Sequence, residues 1–171
     1  MKSLSDLTAD DVRRLPAGAE LDQLVAEAIG VEPDIVWIAS NDGGKSACAD
    51  VDPRHGPWYT KRQLADWLKE RHSRGTHGGY ELLAWKRYRS YSTDAVAACA
   101  ACAAAQKLGG GWLWSLDWEG DGYRFTWLLP EPDGCTGHPF GPSAEAKTED
   151  LARCRAVLLA WLAVACKEAP K

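Results

Sequence analysis

Cys48, His55, His72 and His77 are the closest approach in this chain to a zinc set, since thiolate and imidazole are the ligands that metal prefers. The His72/His77 spacing is one that zinc sites use. However, no second cysteine lies two to four residues from Cys48, so the spacing assigns no metal and no cofactor. Upstream, Ala39-Ser40-Asn41-Asp42-Gly43-Gly44-Lys45-Ser46 follows the β-branched run Ile35 to Ile38 and imitates a phosphate loop. Such a loop aims backbone N–H groups, a lysine and a helix N-terminus at phosphate. Here alanine replaces the first glycine, and Asp50, Asp52 and Pro53 cut the required helix short. Lys45 is kept as a candidate contact for a small anion, within a polar turn. Asp117, Glu119, Asp121 and Gly122 copy the first half of a calcium loop, but Leu128 stands where a bidentate glutamate is needed. Cys99 and Cys102 lie inside an alanine-rich helix, where two small packing residues need no redox role.

Aromatic and basic residues interleave at Trp85-Lys86-Arg87-Tyr88-Arg89. Guanidinium beside an aromatic ring suits phosphates, stacked bases or acidic protein surfaces. With Arg54, Lys61 and Arg62 this run forms the candidate partner-binding surface. The distribution of charge supports it. The formal net charge is −4, yet residues 1–53 hold 4 Lys+Arg against 11 Asp+Glu, residues 54–89 hold 9 against 3, and residues 90–171 hold 7 against 10. A basic middle between acidic flanks can attract an anionic partner, whether protein or nucleic acid, or can neutralise its own neighbours.

The elements that must carry these groups are legible from periodicity and punctuation. Thr8 or Asp10 can cap a short turn ending at Pro16, and Leu21, Leu24, Val25 and Ala28 then fall at helical spacing before Gly30. Thr60 with Gln63 forms a capping box ahead of Leu64, Trp67, Leu68 and Arg71. Residues 80–88 read as a strand, Ser92 or Thr93 followed by Asp94 as a helix start, and Ala95 to Leu108 as a helix. Residues 112–129, WLWSLDWEGDGYRFTWLL, hold four of the nine tryptophans. If the chain turns at Glu119-Gly120-Asp121-Gly122, then Trp118 faces Tyr123, Leu116 faces Phe125, Trp114 faces Trp127 and Trp112 faces Leu129. On the other face Asp117 opposes Arg124 and Ser115 opposes Thr126. Every pair is compatible, and the apolar face is too large to leave in water, so it is expected in the core. The polar face, with Asp117 and Arg124, is the expected place for a ligand. Beyond Pro130 a Gly/Pro-rich loop is expected to Pro142, followed by a helix from Ser143 or Thr148 to Lys167 with Leu151, Cys154, Leu158, Trp161, Leu162 and Ala165 as its apolar stripe.

At 171 residues the chain is long enough for one domain with its own core. The fold class expected is α/β or α+β, a single domain over residues 1–171. No run approaches the roughly 18 apolar residues of a membrane span and the charged N-terminus lacks a signal-peptide core, so a cytoplasmic protein with no membrane partner is expected. Six cysteines in an unsecreted chain read as reduced thiols.

Three segments, AGAELDQLVAEAIG at 17–30, YSTDAVAACAACAAAQKLG at 91–109 and TEDLARCRAVLLAWLA at 148–163, with the tryptophan hairpin between the last two, resemble the phage ABA sandwich domain, a bacteriophage and prophage family of unassigned function. The resemblance implies an α-β-α sandwich and a phage or prophage origin, and it carries over no catalytic residue. Residues 31–80 match nothing in that family and read as an elaboration inserted in the core fold. Two functions are therefore expected. The first is a non-catalytic accessory protein that binds a host macromolecule through its basic aromatic surface and modulates host physiology or defence. The alternative is a pocket in residues 41–80 for a small anionic ligand, such as a nucleotide, or for a metal, with enzyme-like chemistry.

Overall fold

The computed structural model describes residues 3–40, 60–73, 81–108, 111–131 and 137–168. It is a mixed α+β protein, with five α-helices and two antiparallel sheets among the described residues. The chain divides into two compact units, one made of Met1–Glu32 with Tyr88–Lys171 and the other of Pro33–Arg87. No helix among the described residues is long and apolar enough to cross a membrane.

The larger unit begins with helix α1, Ala9–Arg14. Thr8 is its cap: the Asp11 N–H donates to Thr8 Oγ1 at 3.2 Å while the Thr8 N–H donates to Asp11 Oδ2 at 3.0 Å, so two otherwise orphaned donors are satisfied reciprocally. Helix α2, Ala19–Ala28, buries Leu21, Leu24, Val25 and Ala28 as their spacing predicts. It stops at Gly30, whose φ of +67° disfavours a side chain. Helix α4, Ala95–Leu108, opens on Asp94, whose Oδ1 accepts from the N–H groups of Val96 and Ala97 at 2.9 and 3.1 Å. Just upstream, the buried Asp22 accepts from the Ser92 N–H at 2.7 Å, and Ser92 Oγ accepts from the Gly18 N–H at 2.9 Å. These bonds tie the start of α2 to the start of α4.

Strands β3, Leu113–Glu119, and β4, Gly122–Pro130, form the tryptophan hairpin. Its register runs from Leu113↔Leu128 to Glu119↔Gly122 and includes every cross-strand pair expected between them, while the expected Trp112–Leu129 pair is not part of the ladder, since β3 starts at Leu113. Gly120, at the first central position of the turn, has φ +63°, which suits the twist of the flanking strands. The segment from residue 137, expected as loop, is instead strand β5, Gly137–Ala146, paired antiparallel to β4. Pro139 and Pro142 argued against a strand because proline cannot donate to a ladder. The order β3-β4-β5 makes β5 an edge, where half of the N–H positions need no partner, and a register shift between Phe125 and Trp127 absorbs the irregularity. Gly137 permits the pairing, since a Cβ there would lie 2.7 Å from the Leu129 carbonyl oxygen.

Helix α5, Glu149–Glu168, packs against β4 and β5 and also against α4, α2 and α1. Ala156, Val157, Leu158, Leu159 and Ala160 are all buried. Five consecutive buried positions span more than a full turn, so this part of α5 is enclosed rather than buried along the single stripe expected. The alanine face of α4 (Ala97, Ala98, Ala101, Ala105) packs closely on it. On the sheet, Trp112, Phe125 and Trp127 are buried, and the Trp127 indole N–H donates to the Ala156 carbonyl at 2.9 Å. The expectation that the whole tryptophan face is core fails at the edge: Trp114 is 38 % exposed and Trp118 62 %. The physical reason is position, because α5 covers β4 and β5 while β3 is the edge strand farther from it.

The smaller unit pairs β1, Asp34–Ser40, with β2, Glu81–Arg87, antiparallel from Asp34↔Arg87 to Ser40↔Glu81. Helix α3, Lys61–Ser73, starts with the expected capping box, Thr60 N–H to Gln63 Oε1 at 2.9 Å and Gln63 N–H to Thr60 Oγ1 at 3.3 Å. Leu64 and Leu68 are buried against Trp37, Trp67 and Leu82.

Candidate functional site

The β1–β2 register determines which side chains of the smaller unit share a surface. Because strand side chains alternate, Ile35 and Trp37 lie on one face with their partners Lys86 and Ala84 and with Leu82, two positions before Ala84 on β2. Helix α3 covers the Trp37 and Leu82 end of that face. The Ile35 end stays open: Ile35 is 54 % exposed, and Lys86, directly opposite, is exposed as well. Lys61, the first residue of α3, sets its ammonium 4.6 Å from the centroid of the half-buried Trp37 ring, within cation–π range. An apolar centre, Ile35 and the Trp37 ring, is thus flanked by Lys61 and Lys86 on one face. Arg62, next on α3, is exposed too.

Of the remaining residues in the candidate partner surface, Arg87 forms an ion pair with Asp34 across the β1–β2 register. It already has a counter-ion. Trp85 pairs with Val36 in the β1–β2 register. Tyr88 and Arg89 belong to the larger unit, where Tyr88 packs against the core and Arg89 is exposed. The basic aromatic run is therefore divided at Arg87/Tyr88. Arg54, Lys45, Cys48, His55 and His77 lie outside the described residues, as does most of the 41–80 segment. His72 is on α3. Sequence reasoning missed Ile35 and Trp37, since four consecutive apolar residues give no sign of which alternate pair is left in water.

A second concave region lies in the larger unit, where the hairpin tip, the end of β5 and the start of α5 enclose about 500 Å³. Arg124, expected opposite Asp117, lies in that register but sends its guanidinium elsewhere, to Glu119 at 2.7 Å and Glu145 at 2.9 Å. Glu145 belongs to the unforeseen strand β5 and sits directly across from Arg124, which explains the change of partner. Asp117 is exposed and does not line the pocket. Lys147, Leu151 and Arg155 complete one wall. Arg155 is half-buried, and its hydrogen bonds end on main-chain carbonyls: Leu15 O at 2.8 Å from Nη2 and Glu145 O at 2.7 Å from Nη1. Burial with no carboxylate beside it pulls its pKa below the usual arginine value.

Two residues before Arg155 on α5, Arg153 is buried and bonded to Glu149, with its guanidinium carbon 4.8 Å from the Trp114 ring centroid. Its Nη1 has no hydrogen-bond partner among the described residues. Cys102 is buried and Cys99 exposed, both as free thiols. Burial pushes the Cys102 thiol up to about 12, against the weaker opposing pull of Arg153, so it holds its proton at neutral pH. No protein-family description, curated protein or solved structure matches this chain.

Proposed function

We propose that this is a non-catalytic binding protein whose 33–87 unit docks on an acidic protein surface through Ile35 and Trp37, with Lys61, Arg62 and Lys86 as the cationic rim. The observation that carries the reading is the exposed Ile35 on the same strand face as Lys86 and the Lys61–Trp37 pair. An apolar centre inside a charged rim is the usual anatomy of a protein contact. Covering what remains exposed of Ile35 contributes on the order of 1 kcal/mol, and the lysines contribute mainly orientation and a faster encounter with an anionic partner. A protein fits better than a nucleic acid. Asp66 and Glu70 interrupt the cations of α3, and the chain's net charge of −4 repels a polyanion beyond the immediate contact. The resemblance of residues 17–30, 91–109 and 148–163 to a phage family supports a bacterial host protein as the partner, and modulation of host physiology or defence as the outcome.

The test compares the wild-type chain with an Ile35→Asp/Lys61→Glu/Lys86→Glu variant. Arg87 is left intact, because reversing it would place a second carboxylate against Asp34. Cross-linked partners from host extract, with and without nuclease treatment, are identified by mass spectrometry, and binding of the purified partner is then measured at two salt concentrations. The reading expects a salt-sensitive protein partner that the variant loses without a change in melting temperature. Equal capture by the variant refutes it, and a partner that disappears with nuclease assigns the surface to nucleic acid instead.

A further inference from the structure

We infer that the pocket at the hairpin tip of the larger unit binds a small organic anion, seating a carboxylate or phosphate group against Arg155 and Lys147 and its carbon body against Tyr123 and Leu151. This site is independent of the 33–87 surface. The inference starts from the hydrogen-bond accounting of Arg155. A guanidinium has five N–H donors. Nε and Nη2 both reach Leu15 O, at 3.3 and 2.8 Å, and Nη1 reaches Glu145 O at 2.7 Å. Three donors are used and two are left, on a half-buried cation whose acceptors are neutral carbonyls. Lys147, two residues after Glu145, is exposed on the same wall and makes no ion pair among the described residues.

Three carboxylates, Glu119, Asp121 and Glu145, balance the three cations of the lining in number, but they are unevenly engaged. Glu119 and Glu145 are both taken by Arg124, which bonds them at 2.7 and 2.9 Å. Asp121, at the turn, is the remaining carboxylate. Lys147 and Arg155 are therefore the lining cations with no carboxylate partner among the described residues, in a pocket whose charges sum to zero, which favours a ligand with a single acidic group met locally by these two and disfavours a highly charged polyphosphate. The volume, about 500 Å³, lies within the range of small-molecule sites. Tyr123 and Leu151 supply the apolar wall, and the Tyr123 ring is itself held edge-on by Trp118 at 4.9 Å between centroids. A planar oxyanion on a guanidinium, with a ring or chain against tyrosine and leucine, is the chemistry this arrangement recognises.

Phenyl phosphate, benzoate, inorganic phosphate and ATP are titrated separately into the ¹⁵N-labelled full chain, following the Arg155 Nε–Hε signal and the amides of residues 145–147. The inference expects saturable shifts with phenyl phosphate or benzoate and a roughly tenfold weakening in the Lys147→Glu variant. The tighter of these two probes tells whether the natural group is a phosphomonoester or a carboxylic acid. Arg155→Ala also removes the ties to Leu15 and Glu145 and can fail to fold, so Lys147→Glu, at an exposed position, is the deciding variant. Failure to saturate by about 10 mM, equal affinity for inorganic phosphate, tighter binding of ATP than of either organic probe, or affinity unchanged in Lys147→Glu overturns it.

Discussion

Replacing Glu149 by alanine should harm this protein more than removing the buried cation that Glu149 serves. Arg153 lies one helical turn beyond Glu149 on α5, with Nε and Nη2 bonded to the Glu149 carboxylate, the Trp114 ring 4.8 Å away and Nη1 without a partner. Breaking a fully buried pair by deleting one member costs about 3–5 kcal/mol, because the other charge is left stranded. Here the Arg153 side chain is 7 % exposed but that of Glu149 is 42 % exposed, so water already screens the carboxylate. The cost for Glu149→Ala reduces to about 2–3 kcal/mol. Arg153→Met behaves differently. It removes the charge and the orphaned Nη1, keeps much of the side-chain volume, and leaves Glu149 half in water at the first residue of a helix, where the dipole favours it. Against that stands a lost cation–π contact of about 1 kcal/mol. The balance for Arg153→Met falls within about 1 kcal/mol of wild type. Urea titrations followed by tryptophan fluorescence and by far-UV circular dichroism measure both variants. If Arg153→Met proves the more destabilised of the two, the ion pair contributes net stability and the accounting is wrong.

Burial raises the pKa of Asp22, and its hydrogen bonds with Ser92 lower it only partly, so folded Asp22 holds a proton more readily than the unfolded chain does. Its contribution to stability is therefore fully present below the ordinary carboxylate pKa and is lost as pH rises through the folded value. Asp22→Asn keeps an acceptor for the Ser92 N–H and should flatten that part of a pH–stability profile. Asp22→Ala orphans the donor and should cost about 1–3 kcal/mol, or several degrees of melting temperature; an unchanged profile in Asp22→Asn counts against the assignment. Gly122→Ala places a Cβ 2.7 Å from the Ala146 carbonyl oxygen on the neighbouring strand and should destabilise the protein by roughly 1–3 kcal/mol, measured by calorimetry; a neutral result means that the β4–β5 edge yields. Among the described cysteines, Cys99 should alkylate with iodoacetamide in the native protein at pH 8 while Cys102 and Cys154 react only after denaturation. Peptide mapping reads this directly, and native labelling of Cys102 contradicts its burial.

What the sequence made legible was settled by residues close along the chain. The Thr60–Gln63 box needs two side chains three positions apart, and the hairpin register needs a two-residue turn and flanking pairs that are all compatible. Whatever depended on a distant partner was hidden. Strand β5 carries prolines that forbid a central position and permit an edge, and nothing local says that β4 has a free edge to offer. Once β5 is there, Glu145 stands opposite Arg124 and joins Glu119 in taking it from Asp117, so a polar pair correct in register was wrong in partner. The enclosure of α5 was hidden for the same reason: a run such as Ala156 to Ala160 is compatible with one covered face or several, and only the number of neighbouring elements decides.

The two candidate sites differ in the same physical respect. The Ile35 surface depends on one short register and one adjoining helix, which is why the basic aromatic run pointed near it while missing its apolar centre. The Arg155 pocket needs the carbonyl at the end of α1, the last residues of β5 and the first turns of α5 to converge, with 140 positions separating Arg155 from Leu15. No spacing rule reaches that far. A cation held there by carbonyls cannot move toward a counter-ion of its own without giving up hydrogen bonds, so a ligand's oxyanion has to come to it. That fixed position distinguishes Arg155 from the exposed cations of α3, whose flexible side chains can turn to water or to neighbouring carboxylates, and it makes charge at Lys147 the more sensitive probe of whether the pocket is used.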